Sequence, residues 1–250
     1  MKGDADIAKI GALVADPARA RILLALGDGR ALSASVLADE AGVVASTASA
    51  HLGKLVDGKL LTVERHGRHR YFALAGAEVA ELIEALARVA PPAPVRSLRQ
   101  GTRAHAVRRA RTCYDHLAGI LGTQLMAAML ERELLTGGDG VFDSAKAHKD
   151  RLSAPGFDYD YRLTERGVRE LDDFGIDFAQ LRNRQRPLIR YCVDWSEQRH
   201  HLAGSLGAAL AQRMFELRWV TRARRGRAVA LTDDGAKGLR DRFGLELAAA

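Results

Sequence analysis

"VASTASAHLGKLVDGKLLTVERHGRHRYFAL", residues 44–74, is the stretch on which the fold turns. Ala48, Leu52, Leu55 and Val56 recur on one face at helical spacing, and Gly58 ends the run just after Asp57. Away from that stripe lie Ser46, Ser49, Ala50, Gly53 and Lys54, an outer face with almost no bulk. The second half, "LLTVERHGRHRYFAL", reads as two strands around a turn at Gly67. It carries Arg65, His66, Arg68, His69 and Arg70 within six residues.

Working outward, "DIAKIGALVADPARARILLALGDG" predicts two helices. Ile7, Ile10, Leu13 and Val14 mark the first, and Asp16-Pro17 caps and starts the second. Ser33 opens a third, "SASVLADEA", which Gly42 stops. The short helices Ser33–Ala41 and Ala45–Asp57 therefore predict a helix-turn-helix, with a β-hairpin wing behind it. "GAEVAELIEALARVA", Gly76–Ala90, is a fifth helix, and "PPAP", Pro91–Pro94, is the clearest linker in the chain.

A helix that enters a major groove needs a slim outer surface, because long side chains would hold it off the base edges. Ser46, Thr47 and Ser49 offer hydroxyls for phosphate or base edges, Ala50 permits close approach and Lys54 adds charge. His51 falls beside the apolar stripe and suits packing or a phosphate contact. Arg65, Arg68 and Arg70, with His66 and His69, suit a phosphate strand or the minor groove. The plainer alternative is a solvated face and turn, but so many cations in six residues favour phosphate.

These residues resemble the ArsR family of bacterial winged-helix transcriptional regulators. The likeness runs over about residues 5–90 and rests on "ADPARARILLAL", "LADEAGVVASTASAHLGKLVDGKLL" and "RHGRHRYFAL" in that order. The resemblance implies a homodimer on palindromic double-stranded DNA, a repressor that leaves its operator when an effector binds. It also implies that the first helix and Gly76–Ala90 form the dimer interface. Val44 stands where the family often has a Ser at the recognition-helix cap, so a weaker helix start is expected. The family's metal-responsive members often carry Cys-x-Cys on the helix before the recognition helix, or Asp/His ligands on the last one. Neither "SASVLADEAG" nor Gly76–Ala90 contains Cys or His, so the resemblance names no effector.

Bulk properties bound this reading. The chain has 250 residues, 47% hydrophobic and 28% charged, which is ordinary globular composition and room for two modest domains. "MKGDADIAKI" is no signal peptide and no 18-residue apolar run is present, which predicts a cytoplasmic protein with no membrane partner. Cys113 and Cys192 are too few for a disulfide framework. The net charge of +7 is not spread evenly. Residues 1–90 hold 11 cations and 11 acids, whereas residues 91–112 hold six arginines and no acid. A neutral N-terminal segment favours a defined groove contact over the blanket charge of an architectural DNA binder. Arg108, Arg109 and Arg111 are expected to pair mainly with acids of the second half.

The second half repeats. "HLAGILGTQL", His116–Leu125, returns as "HLAGSLGAAL", His201–Leu210, and "RLTERGVRELDDFGI", Arg162–Ile176, returns as "ALTDDGAKGLRDRFGL", Ala230–Leu245. The offsets of 85 and 68 residues require a 17-residue insertion in the first copy, around "TGGDGVFDSAKAHKDRLSAPGFD". Such copies usually pack about a local twofold axis. "WVTRARRGRAVALT", Trp219–Thr232, mirrors the wing. The predicted fold is thus mainly α with small β-hairpin wings: an N-terminal winged helix-turn-helix over 1–90, a Pro/Arg-rich linker and helix start over 91–112, and a tandem degenerate winged-helix-like repeat over 113–250, the copies being about 113–180 and 190–250. Neither copy shows a recognition helix, which points to assembly or effector sensing. Arg222, Arg224, Arg225 and Arg227 are secondary candidates for DNA contact.

Two groups bear on sensing. "RTCYDHLAG" puts Cys113 and His116 at i, i+3, read as one face of a helix, with Asp115 beside them. "RYCVDWSEQRHHLAG" supplies Cys192, Asp194, Glu197, His200 and His201. Two thiolates and two imidazoles meeting across the repeat axis would suit a soft metal or metalloid. A redox thiol pair, a small organic ligand and a purely structural role, with buried cysteines and a helix-capping Asp, remain open beside it. DNA binding itself requires no cofactor. An enzyme is the alternative from another class, but Cys113 with His116 names no third group or oxyanion site. "TGGDG" lacks the Lys-Ser/Thr of a phosphate loop.

Overall fold

A computed structural model describes residues 4–67, 69–91, 93–95, 97–142, 160–182, 186–223 and 226–248, with Arg99 described by its backbone only. The chain forms two compact units: Met1–Ala87 with Arg224–Arg227, and Arg88–Ala223 with Ala228–Ala250.

The first unit is a winged helix-turn-helix. Helices α1 (Ile7–Val14), α2 (Pro17–Ala25), α3 (Ala34–Ala41) and α4 (Ala45–Asp57) follow in order, then the wing and α5 (Ala77–Val89). The expected caps are in place. Asp16 accepts from the N–H groups of Ala18 and Arg19, Pro17 occupies the first helical position, and Ser33 accepts from Val36. Gly42 ends α3 at φ 70°, a left-handed conformation that a Cβ disfavours. Val44 caps α4 without any side-chain hydrogen bond, the weak start expected from the sequence. The wing is β2 (Leu61–His66) paired antiparallel with β3 (His69–Leu74), while β1 (Leu32–Ser33) adds to the far edge of β3. Ile22, Leu23, Leu26, Leu37, Leu52, Leu55 and Phe72 fill the core between α2, α3, α4 and the sheet.

The second unit is the repeat. After α6 (Leu98–Arg109), the first copy runs β4 (Arg111–Cys113), β5 (His116–Ala118), α7 (Gly119–Glu131), β6 (Leu135–Thr136), β7 (Arg162–Leu163), α8 (Glu165–Asp173) and α9 (Phe178–Arg182). The second runs β8 (Arg190–Val193), β9 (His200–Ala203), α10 (Gly204–Glu216), β10 (Val220–Arg222), β11 (Val229–Leu231) and α11 (Asp233–Phe243). Each copy is therefore hairpin, long helix, wing-like strand pair, helix. The 17-residue insertion falls between β6 and β7, and residues 143–159 of that segment lie outside the described residues. The copies exchange partners: α7 packs on β9 and α10 packs on β5. One core, from Leu117 and Leu121 through Met129, Leu171, Leu206, Met214 and Leu239, serves both.

The likeness of the copies to the wing is built into the backbone. Lys59, Glu133 and Arg218 each adopt a positive φ (59°, 56° and 55°) between a long helix and a strand. In each case the next N–H donates back to the helix, Leu60 to Leu55, Leu134 to Met129 and Trp219 to Met214. What precedes that shared helix differs, helices α1 to α3 in the first unit and a β-hairpin in the repeats. Among the described residues the HTH is present once and the wing-like pair three times.

Candidate functional site

On α4 the apolar stripe is turned inward. Ala48, Leu52 and Leu55 are buried, whereas Ser46, Thr47, Ala50, Gly53 and Lys54 are exposed and Ser49 is half-buried. A Cβ placed on Gly53 would meet nothing within 4 Å, so this surface is open as well as slim. His51 departs from the pattern: its ring turns toward α2, with Nδ1 3.7 Å from the capping Asp16 carboxylate. Arg65 stands opposite Arg70 and His66 opposite His69 in the wing register, all four exposed. Arg68 lies outside the described residues, as do Arg224 and Arg225.

The Cys113–His116 segment corrects the helical reading. It is a two-stranded hairpin in which Cys113 and His116 are directly opposed Cα partners, with Tyr114 turning at φ 58°. A thiol and an imidazole three residues apart face each other across a tight hairpin just as they would across a helical turn. Cys192 and His201 are opposed in the same way across β8–β9. The exchange of partners between copies then brings the two hairpins together. One ligand atom from each of Cys113, His116, Cys192 and His201 lies within 4.8 Å of the others. The two imidazole rings are 5.2 Å apart and tilted by 33°. Cys113, His116 and His201 are buried and Cys192 is half-buried.

Each histidine has its own carboxylate. Asp115 Oδ1 meets His116 Nδ1 at 3.2 Å, and Asp194 Oδ2 lies 3.4 Å from His201 Nδ1, without hydrogen-bond geometry. Asp115 therefore orients a ring and does not cap a helix. Each carboxylate is held by an arginine of the other copy's side of the unit: Arg111 Nη2 donates to Asp194 Oδ2 at 2.9 Å, and Arg186 donates to Asp115. Asp194 also accepts from the Gly119 N–H at 2.7 Å and from the Ser196 hydroxyl at 2.7 Å. Arg111 pairs with an acid of the second half, as its charge context suggested, whereas nothing in the sequence pointed to Arg186.

Electrostatics follow from this packing. Burial opposes charge on Asp194, but Arg111, His201, Ser196 and the Gly119 N–H outweigh it and hold the carboxyl well below its ordinary range. Burial pushes His201 well below the usual imidazole range, helped by the neighbouring His116 and Arg111 and opposed by Asp194. Burial also disfavours charge on His116, yet the Cys113 sulfur and the Asp115 carboxylate raise it to about 9. The Nε2 atoms of both rings are buried and make no hydrogen bond.

Comparison with known proteins gives the two units a shared context. A helix-turn-helix domain model matches residues 14–64, which covers α2 to the wing. The uncharacterised HTH-type transcriptional regulator YdfF of Bacillus subtilis (strain 168) is 41% identical over 230 residues, 92% of this chain and 93% of its own length. The chain belongs to this family of HTH-type transcriptional regulators. The match to YdfF spans nearly the full length, so it takes in the duplicated unit as well as the winged one. Solved structures align with about a third of the chain. The homodimeric winged helix-turn-helix fragment of Mb0332 from Mycobacterium bovis is 33% identical, covering 36% of this chain and 88% of its own, with a TM-score of 0.31. NolR from Sinorhizobium fredii is 24% identical, covering 37% and 100%, with a TM-score of 0.32. The regulator's first unit has the winged helix-turn-helix element order expected from its sequence. None of its helices among the described residues is long and apolar enough to cross a membrane.

Proposed function

We propose that this regulator binds a palindromic operator as a homodimer and represses transcription until an effector occupies its duplicated unit. Two α4 helices enter successive major grooves about 34 Å apart, with Ser46, Thr47, Ser49, Ala50 and Lys54 at the base edges and phosphates. The wings lay Arg65 and Arg70, with His66 and His69, on the flanking backbone, and Arg68 belongs to the same grip by its place in the sequence. His51 supports α4 from behind through Asp16. The observation that carries the reading is the pairing of an open, side-chain-poor helix face with a cationic hairpin directly after it in the fold. Self-association is supported by apolar side chains left bare on α1 and α5: Ile7 is 78% exposed and Leu86 38%. A regulator rather than an enzyme is the reading these surfaces favour.

The effector acts on the repeat because that unit has wing-like pairs without a recognition helix and carries the Cys/His cluster. A coupling of about 1–3 kcal/mol between effector and DNA would change operator affinity by about 5–150-fold. Selection of bound duplexes from a random library tests the DNA half of the proposal. A palindromic consensus with half-sites one helical turn apart is expected, and the absence of any enriched sequence would overturn it.

A further inference from the structure

The repeat assembles a constellation that the DNA-reading surface does not use. Cys113 and His116 face each other on one hairpin, Cys192 and His201 on the other, and their ligand atoms all fall within 4.8 Å. A tetrahedron with metal–nitrogen and metal–sulfur bonds of about 2.0–2.3 Å has edges of about 3.3–3.8 Å, so small side-chain rotations close the four atoms onto a common centre. We propose that Cys113, His116, Cys192 and His201 bind one divalent cation of the zinc class in a closed tetrahedral site that ties the two copies of the repeat together.

The first support is the state of the ring nitrogens. His116 and His201 are buried, and their Nε2 atoms make no hydrogen bond, although buried polar atoms are nearly always partnered. A cation coordinated there satisfies both nitrogens at once. A Cys113–Cys192 disulfide, the main rival use of the same sulfurs, leaves both unsatisfied.

Support also comes from the surrounding shell. A metal-ligating histidine usually has its other nitrogen oriented by a carboxylate. Asp115 does this for His116 at 3.2 Å, and Asp194 stands 3.4 Å from the corresponding nitrogen of His201. Those carboxylates are neutralised elsewhere, by Arg186 and Arg111, so they leave the centre's own charge untouched. Two thiolates and two neutral imidazoles around a divalent cation sum to zero, which is the balance a buried site needs. Each thiol gives its proton to solvent as its sulfur bonds the ion, and the His116 ring, where it carries a second proton, gives that one up as well.

The backbone makes room for the same geometry. A Cβ on Gly122 would lie 2.4 Å from Leu117 O and 3.5 Å from His201 Cβ; one on Gly207 would lie 2.5 Å from Leu202 O and 3.3 Å from His116 Cβ. The glycine of each HLAGxLG segment thus lets its helix close onto its own hairpin beside the histidine of the other copy. Cys192, half-buried where the other three ligands are buried, marks the side from which an ion enters.

The test uses the full-length chain, reduced, stripped with a chelator and titrated with cobalt(II), then with zinc(II). One cobalt per chain is expected, with the intense visible bands of a tetrahedral ion and thiolate charge transfer, all displaced by one equivalent of zinc. Cys192→Ser should lower the charge-transfer band by about half, since one of two sulfurs is gone, and weaken binding at least tenfold. Asp115→Asn, which changes a positioning residue, should weaken binding by about 10–100-fold with the ligand set intact. Circular dichroism checks that the variants fold, and the wild-type titration decides the matter without them. A weak six-coordinate spectrum, binding below one ion per chain, or a spectrum untouched by Cys192→Ser would overturn the site. So would a fully reduced chain that takes up no ion, whatever disulfide it forms on oxidation. Operator binding is a separate readout, so failure here leaves the DNA proposal standing, and the reverse holds too.

Discussion

Arg111 and Asp194 form an ion pair of 2.9 Å in which neither side chain reaches solvent. The arginine opens β4 of the first Cys/His hairpin and the aspartate directly follows β8 of the second, so the pair stitches one copy of the repeat to the other. The Asp194 carboxylate spreads its charge over Arg111, the Gly119 N–H and Ser196. Removing one member of such a pair strands the other in a dry interior. Asp194→Ala should therefore destabilise the second unit by about 3–5 kcal/mol in chemical denaturation. The half-exposed Arg186–Asp115 pair is the internal control, because Arg186→Met should cost no more than about 1 kcal/mol. Equal losses in the two variants would show that burial of the Arg111 pair is not what sets its weight.

Glycines separate packing from function. Gly122→Ala and Gly207→Ala place a methyl within 2.4–2.5 Å of a backbone carbonyl, which cannot move away cheaply. Each should cost about 1–3 kcal/mol, read as a lower unfolding midpoint. Gly53→Ala meets open space on α4 and should raise stability by about 0.5–1 kcal/mol. A destabilised Gly53→Ala chain would mean that α4 is less open than its geometry.

The uncapped start of α4 offers a gain. Val44 is 69% exposed and provides no side-chain acceptor to the first turn. Val44→Ser should add about 1 kcal/mol of stability by capping a free N–H. An unchanged midpoint in thermal or chemical unfolding would show that the turn satisfies those donors by other means.

The proposed self-association draws on Ile7, the apolar residue that α1 leaves bare. Ile7→Glu should leave folding stability within about 0.5 kcal/mol, since Ile7 is 78% exposed in the single chain. Sedimentation should nonetheless shift from dimer toward monomer, and operator affinity should fall with it. A dimer that sediments unchanged would move the interface elsewhere.

Much of this was legible in the sequence, for identifiable reasons. The winged unit announced itself because Asp16-Pro17, Ser33, Gly42 and Gly58 punctuate its helices at the right intervals, and apolar period does the rest. The repeat showed through its HLAG segments, and even the position of its insertion could be placed. The Cys113–His116 hairpin was misread because its turn, Tyr114-Asp115, lacks the Gly or Asn that usually marks a two-residue loop. Opposed strand residues and helical i, i+3 residues then look alike in so short a segment. Arg186 was invisible for another reason: it reaches Asp115 from 71 residues away, and no local pattern encodes such a meeting. His51 shows the limit of a helical wheel, which places a residue beside the core but does not say that it will turn toward Asp16.

The central claim is that α4 reads DNA while the wing grips its backbone, and salt dependence tests it most directly. On a duplex taken from library selection, binding of the full-length chain is measured against salt concentration for wild type and Arg70→Ala. The account predicts weaker binding of the variant on every duplex and a slope shallower by about 1 on logarithmic axes, one phosphate contact having been lost. Equal slopes for the two proteins would contradict it.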